Sequence, residues 1–478
     1  MKRPAAFLIA ALAGGGSLAA AETADGTIAV SSPTWARDIA PILMNHCVEC
    51  HRPGQVAPFS LLSYPDAAKR ARFLAKTVKA RIMPPWSPDG PVDAFVDERH
   101  LSPEEVAAIG QWAEGGAPAG DLTQAPAPPP DPSDTWHLGP PDLLVRMRQP
   151  FTVPAGPDDT YQVFPIPFSL AAVPADVLAK ARIPDSEVLA VAAVEIHAGN
   201  RRALHHADVF VDTSGAARKR EVAEGGNGYA SFGTPGFVPS AYLGGRVPGM
   251  IPRFLPRGIA ASVMPLTGDL ALQVHYNATG KPETDQTEVG IYFLREPARR
   301  IMDTLYLRSF KLDIPAGDPA FVVEDSIELP ADCALLSVFP HMHLVAREVH
   351  AYAQLPDGTR RALLDISRWN FRWHDRYFYH EPFILPKGTV VHCRWVFDNS
   401  TANHANPFSP PRDIRFGPNS TDEMCEFQLG LIPLNLGDEA LLFAARVRKM
   451  KEKIAELTPG QRARFHWDDA FNGVDGRN

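Results

Sequence analysis

Thiols, imidazoles and thioethers fall in a few short stretches of this chain. Cys47-Val48-Glu49-Cys50-His51 has the C-x-x-C-H spacing of covalent haem attachment, in which two thiols add across the haem vinyl groups and the adjacent imidazole becomes an axial iron ligand. C-x-x-C alone also serves as a redox dithiol, so His51 is the residue that turns the motif towards haem. The opposite axial ligand is expected later in the same segment. Met83 is the leading candidate, because the prolines of Met83-Pro84-Pro85 favour an extended backbone beside it; His100 and Met44 are its rivals. Met/His ligation raises a haem potential and suits an electron carrier.

A second group of ligands lies further along. His205-His206 are neighbours, and neighbours on a regular strand point to opposite faces, so both reach one metal only where the strand begins or bulges. His275 sits inside the apolar run Leu272-Gln273-Val274-His275-Tyr276, and His341-Met342-His343 has the i, i+2 spacing that sets two rings on one face. Met424 follows in Thr421-Asp422-Glu423-Met424-Cys425. Singly, a strand histidine is ordinary and a methionine packs. A thioether added to imidazoles, however, points away from zinc and towards Cu(I). His197, His350, His374, His380, His392 and His404 have no partner by spacing and read as surface or hydrogen-bonding residues. There is no G-x-S-x-G and no phosphate-cradling glycine loop.

These residues need elements to hold them. Residues 34–116 read as helical: Ser102-Pro103-Glu104-Glu105 is a capped helix start, Val106, Ile109 and Trp112 follow at helical spacing, and another helix is predicted over 66–81. The proline-rich stretch 117–133 reads as a semi-rigid linker. Beyond it, short alternating runs such as Val391, Cys393, Trp395 and Phe397 predict antiparallel strands. They suggest one sandwich over 137–297, a second over 298–435 and a helical tail over 436–478. Lys2 and Arg3 before the apolar stretch Ala5–Leu18 and the small residues Ala19-Ala20-Ala21 read as an export signal over 1–21, which implies a periplasmic or secreted protein. No later run approaches the roughly 18 apolar residues of a membrane helix. A net charge of −8 with no long basic run removes any electrostatic basis for nucleic-acid binding. Five cysteines are too few for a disulfide scaffold.

Two resemblances follow from these motifs. Residues 34–116 resemble class I cytochrome c domains. Residues 185–435 resemble the copper type II, ascorbate-dependent monooxygenases, the family of dopamine β-monooxygenase and peptidylglycine α-hydroxylating monooxygenase. That likeness rests on His205-His206, Gln273-Val274-His275-Tyr276, His341-x-His343-Leu344 and Asp422-Glu423-Met424-Cys425 in the family's order. It implies two sandwiches facing each other across a solvent-filled cleft and binding two copper ions. His205, His206 and His275 would hold an electron-transfer copper, and His341, His343 and Met424 the copper that meets O₂. It also implies a Cys393–Cys425 disulfide, leaving Cys333 a free thiol. In the peptide-amidating branch a basic residue and a tyrosine grip a peptide carboxylate; Phe339 and Gln428 stand at those positions here, against a peptide-glycine substrate.

The expected fold class is therefore multidomain: a small all-α cytochrome c-like domain followed by two all-β antiparallel sandwich domains. The expected function is copper-dependent hydroxylation of a C–H bond of an unknown small molecule by O₂. Its reductant would be ascorbate or a periplasmic electron carrier, and one covalently bound c-type haem would act as electron relay. The competing readings are a haem/copper electron carrier or copper-binding protein, and a binding sandwich whose histidines hold no metal. Met424 discriminates among them, because a pure relay gains little from an open thioether-ligated site.

Overall fold

Two-residue alternation builds the strands of this chain. In Val390–Phe397, Val391, Cys393, Trp395 and Phe397 are buried while His392 and Arg394 keep partial solvent access, as one face of a sheet meets a core. The computed structural model describes residues 32–464 apart from 56, 91–93, 132–134 and 249. The expected export signal and the last part of the tail lie outside the described residues. Among them, no helix is long and apolar enough to cross a membrane.

The chain divides into two compact units. The smaller comprises residues 32–48, Ser60–Ala80 and Leu101–Pro128. Its helices are Ala40–His46, Tyr64–Ala68, Ala71–Lys79 and Pro103–Glu114. Trp35 lies 6.2 Å from both Tyr64 and Trp112, ring to ring. Ser102 and Glu105 close a capping box at the start of Pro103–Glu114, which satisfies two otherwise orphaned N–H donors.

The expected all-α domain over 34–116 is not what forms, and the expected fold class is corrected accordingly. The protein is mostly β, about 19% helical, with no clear all-α cytochrome domain. The predicted helix 66–81 is two short helices, Tyr64–Ala68 and Ala71–Lys79. Segments 49–59 and 81–100 group with the larger, β-rich unit, where Phe95 bridges to Tyr379 as a strand residue does and Asp89 N–H donates to the Asp365 carbonyl at 2.7 Å. The physical reason lies in Met83-Pro84-Pro85: proline cannot extend a helix, and it leaves extended backbone that can pair with a sheet.

The larger unit holds two pairs of sheets. In the first pair, Leu143–Arg146, Glu288–Phe293, Val188–His197 and Ser262–Pro265 form one sheet in that order. The facing sheet runs Tyr229–Ala230, Thr160–Pro167, Asp269–Tyr276, Leu204–Asp212, Ala241–Arg246. Val145, Val191, Val289 and Ile291 from one sheet share a core with Ile166, Val209, Leu272 and Val274 from the other. In the second pair, Asp303–Arg308, Cys425–Pro433, Cys333–Met342 and Tyr377–Leu385 face Phe321–Glu328, Val390–Phe397, Ala346–Gln354 and Arg360–Ile366. All these pairings are antiparallel. Helix Glu439–Ile454 closes the second core with Leu442 and Ala445 and buries Lys449 and Lys453 against Asp325, at 2.7 and 3.0 Å.

Candidate metal centre

Strand Asp269–Tyr276 is buried along its whole length, because sheet neighbours flank it on both sides and apolar residues fill it. His275 pairs with His206, and Tyr276 then pairs with Leu204, which leaves His205 as the extra residue of a bulge. A bulge re-aims the side chains around it. The adjacent imidazoles therefore converge on His275: ring centroids lie 5.6 Å (His205–His206), 5.1 Å (His205–His275) and 4.7 Å (His206–His275) apart. One ligand atom from each of the three falls within 4.8 Å of the others.

Second-layer contacts set the tautomer. His275 Nε2 lies 3.1 Å from the Asp159 carboxylate, which accepts only, so that nitrogen carries the proton. The lone pair is then on Nδ1, which faces His206 Nδ1 at 3.2 Å. A carboxylate behind an imidazole is the usual means of orienting a metal-bound histidine. Burial alone would raise the Asp159 carboxyl, but hydrogen bonds from His275, Ser420 and the Ala278 N–H hold it well below the usual range. Tyr161 stacks on His275 at 4.1 Å and donates its hydroxyl to the Pro418 carbonyl at 2.8 Å. Asp159→Asn is expected to weaken metal binding at this trio roughly 10- to 100-fold, the effect of losing an outer-shell partner. A titration with copper or zinc measures it, and wild-type affinity in the variant would contradict the orienting role.

His341 lies near the end of strand Cys333–Met342 and His343 just beyond it, with ring centroids 5.3 Å apart. The His343 Nδ1–H donates to the Asp422 carbonyl at 3.2 Å, which leaves its lone pair on Nε2. The Glu423 carboxylate accepts from the N–H groups of His343, Val345 and Met424 at 2.8, 2.9 and 3.0 Å. One buried carboxylate thus fixes the backbone of both His343 and Met424. Gly417 permits this loop to fold on itself, since a Cβ there would sit 2.5 Å from Asp422 Oδ2. The Met424 side chain is half-buried against the second core.

The two histidine sets meet. His206 and His341 are 6.2 Å apart, ring to ring, and His374 stands 5.4 Å from His205 and 5.1 Å from His341. The solvent-filled cleft that the family resemblance implies is therefore absent between these rings. His205, His275, His343 and His374 are each at most 5% exposed. An open surface pocket of about 350 Å³ is lined by Arg146, His197, Arg201, Gln286 and Glu288 among others, and by none of the cluster histidines. By spacing alone His374 reads as a surface or hydrogen-bonding residue, yet it is buried in the cluster. Its only sequence signal is its place in the aromatic stretch 369–379.

Burial, with repulsion among neighbouring imidazoles, pushes His205, His206 and His341 well below the ordinary histidine value, His343 down to about 3 and His374, chiefly through burial, to about 4. A depressed histidine contributes stability that is complete above pH 6.5 and is lost as pH falls towards the folded value. Burial acts oppositely on carboxyls, raising Asp208 to about 6, Asp375 to about 7 and Glu423 to about 8. Stability from these is complete at low pH and lost as pH rises through those values. In the metal-free protein, the His343 and His374 ring resonances are expected to stay in the neutral form from pH 7 to pH 5 by NMR. Midpoints near 6.5 would contradict the burial of these rings.

At the positions where the peptide-amidating branch grips a carboxylate, the Arg376 guanidinium lies 5.3 Å from the Phe339 ring centroid and hydrogen-bonds Gln428. In the C-x-x-C-H motif, Cys47 follows helix Ala40–His46 in the smaller unit, its N–H donating to Leu43 at 2.9 Å. Cys50 and His51 belong to the larger unit. The His51 Nδ1–H donates to the Phe59 carbonyl at 3.1 Å, so its lone pair is on Nε2, the tautomer an axial ligand needs. Met83 is 39% exposed, and His100 Nε2 lies 3.2 Å from Glu98. Cys393 and Cys425, the pair that the family resemblance would bridge, are free thiols buried in one core, where burial raises both, and Cys425 Sγ donates to the Ser309 carbonyl at 3.4 Å. Cys333 is a free thiol that burial pushes up to about 12.

No protein-family model and no curated protein matches this chain. Among solved structures, a two-domain protein of unknown function from Bacteroides fragilis aligns at 9% identity over 57% of this chain and 85% of its own, with a TM-score of 0.15. A structure of infectious bursal disease virus, Gx strain, aligns at 6% identity over 62% of this chain and 72% of its own, with a TM-score of 0.17. Likeness at that level carries no argument about fold or activity.

Proposed function

We propose that this chain is a copper-dependent monooxygenase that hydroxylates a C–H bond of a small molecule. The observation that carries the reading is the trio His205, His206 and His275, gathered by a bulge and backed by the Asp159 carboxylate on His275. Imidazole lone pairs turned inward, with their protons committed to Asp159 and the Asp422 carbonyl, are a donor set that fits a copper ion. His205, His206 and His275 would hold one copper ion, and His341, His343 and Met424 the other. Copper bound there would supply the one-electron steps by which O₂, two electrons and two protons turn a C–H bond into C–OH and water. Asp159 and Glu423 orient the ligands, the buried rings remain uncharged, and Arg376 beside Phe339 presents a cation near the second set.

Cys47, Cys50 and His51 would hold a c-type haem covalently, with Met83 as the opposite axial ligand. Such a haem would supply a one-electron carrier on the same chain. The His51 tautomer supports this part of the reading. We further propose export to the periplasm or beyond, with ascorbate or a periplasmic carrier as reductant.

One observation favours the second reading, a non-catalytic copper-binding or electron-transfer protein: the histidines are packed together and buried. Metal analysis comes first. About one iron and two copper ions per chain are expected from these motifs, and a metal-free protein would contradict both readings. Cys47→Ser combined with Cys50→Ser is expected to release all haem to acid–acetone extraction. Haem retained by that double variant would overturn the attachment site.

A further inference from the structure

His374 is fully buried, yet only one of its ring nitrogens has a partner. Its Nδ1 lies 3.1 Å from the Phe371 carbonyl, which accepts only, so Nδ1 carries the proton and the lone pair sits on Nε2. That Nε2 is buried with no hydrogen-bond partner. His205, whose ring centroid is 5.4 Å away, has the same orphan: its Nε2 is buried and unpartnered. Buried ring nitrogens stripped of water and left without a partner carry a desolvation cost that no hydrogen bond offsets. Phe371 packs 5.0 Å from His205, and Trp369 stacks 5.8 Å from His374. On its other side His374 meets His341 at 5.1 Å, ring to ring.

We infer that His374 is a further ligand to the ion of the first copper set, its Nε2 joining the ring nitrogens of His205, His206 and His275 at the junction of the two sandwiches. The inference rests on the copper reading and adds a ligand that the C-x-x-C-H, H-H, H-x-H and Met motifs do not contain. A neutral imidazole with its proton anchored on a carbonyl is already in the protonation state a metal requires. Three ligands from the first sandwich and His374 from the second make the ion a clamp across the junction. Metal binding and docking of the sandwiches are then one event, as expected where a site is built from two bodies.

The variant His374→Asn tests this, because an asparagine amide can still donate to the Phe371 carbonyl but offers no nitrogen at the Nε2 position. The full-length protein, stripped of metal and titrated anaerobically with Cu(I) against a chromogenic chelator, is expected to lose tenfold or more in affinity for one equivalent of copper, at least the loss that outer-shell substitutions produce. The Cu(II) form is expected to change its nitrogen hyperfine pattern. Wild-type affinity and an unchanged pattern in the variant would overturn the role of His374 while leaving the His205, His206 and His275 site standing. Absence of copper binding by the wild-type protein itself would overturn the copper reading, and this inference with it. Wild-type protein gives a second measurement that needs no variant: Cu(I) is diamagnetic, and its binding is expected to shift the ¹⁵N resonance of His374 Nε2. A resonance that does not move at saturation overturns the assignment.

Discussion

Glu423→Ala is expected to remove most of the stability of the second sandwich. Glu423 is fully buried and its two carboxylate oxygens satisfy the N–H groups of His343, Val345 and Met424. Alanine would leave those donors in the core without acceptors, at about 1–3 kcal/mol each. Their sum is comparable with the roughly 5–15 kcal/mol that stabilises a whole domain. Glu423→Gln retains the volume and one acceptor oxygen, so it is expected to fall between the two. Denaturant unfolding followed by tryptophan fluorescence measures this, since Trp395 is fully buried in that core. An alanine variant as stable as the wild type would show that the carboxylate does not hold the loop. The same loop carries Met424, so the substitution should also loosen the second ligand set before the sandwich melts.

Met424→Ala is the second large effect. Its thioether is the only soft ligand in the proposed copper sets, and loss of a soft ligand weakens Cu(I) more than Cu(II). Copper at His205, His206 and His275 is expected to remain, because none of those residues or Asp159 is altered. Affinity for Cu(I) at the second set should drop by at least the roughly 10- to 100-fold that outer-shell substitutions cost, and oxygenation should stop. Wild-type Cu(I) affinity and turnover in this variant would remove Met424 from the site.

Local patterns in the sequence were readable where one element decides them. Ser102 and Glu105 announce their capping box, and Val391, Cys393, Trp395 and Phe397 announce a buried strand face. The requirement that His205-His206 sit at a strand start or bulge follows from side-chain alternation alone, and the bulge is there. What the sequence concealed depends on contacts far apart in the chain. His374 comes to His205 and His341 through folding of the 369–379 segment, and no spacing rule relates those three numbers. Asp159 is likewise remote from both His275 and Ser420, which it joins at 3.1 and 2.5 Å. The all-α expectation for 34–116 failed for a related reason. Helical periodicity is genuine in Ala71–Lys79 and Pro103–Glu114, but proline-rich backbone and Phe95 carry the 81–100 segment to a sheet. Buried Lys449 and Lys453 escape a hydrophobic pattern altogether, because Asp325 compensates their charge.

The central claim is oxygen insertion at copper held by these histidines, and its most direct test is isotopic. Protein loaded with copper and reduced is incubated with a metabolite extract under ¹⁸O₂, beside a Met424→Ala control, and the extract is surveyed by mass spectrometry. The account predicts an organic product carrying one ¹⁸O atom, formed by the wild type and not by the control. Oxygen consumption with no labelled organic product, or a labelled product formed equally by the Met424→Ala protein, would contradict it.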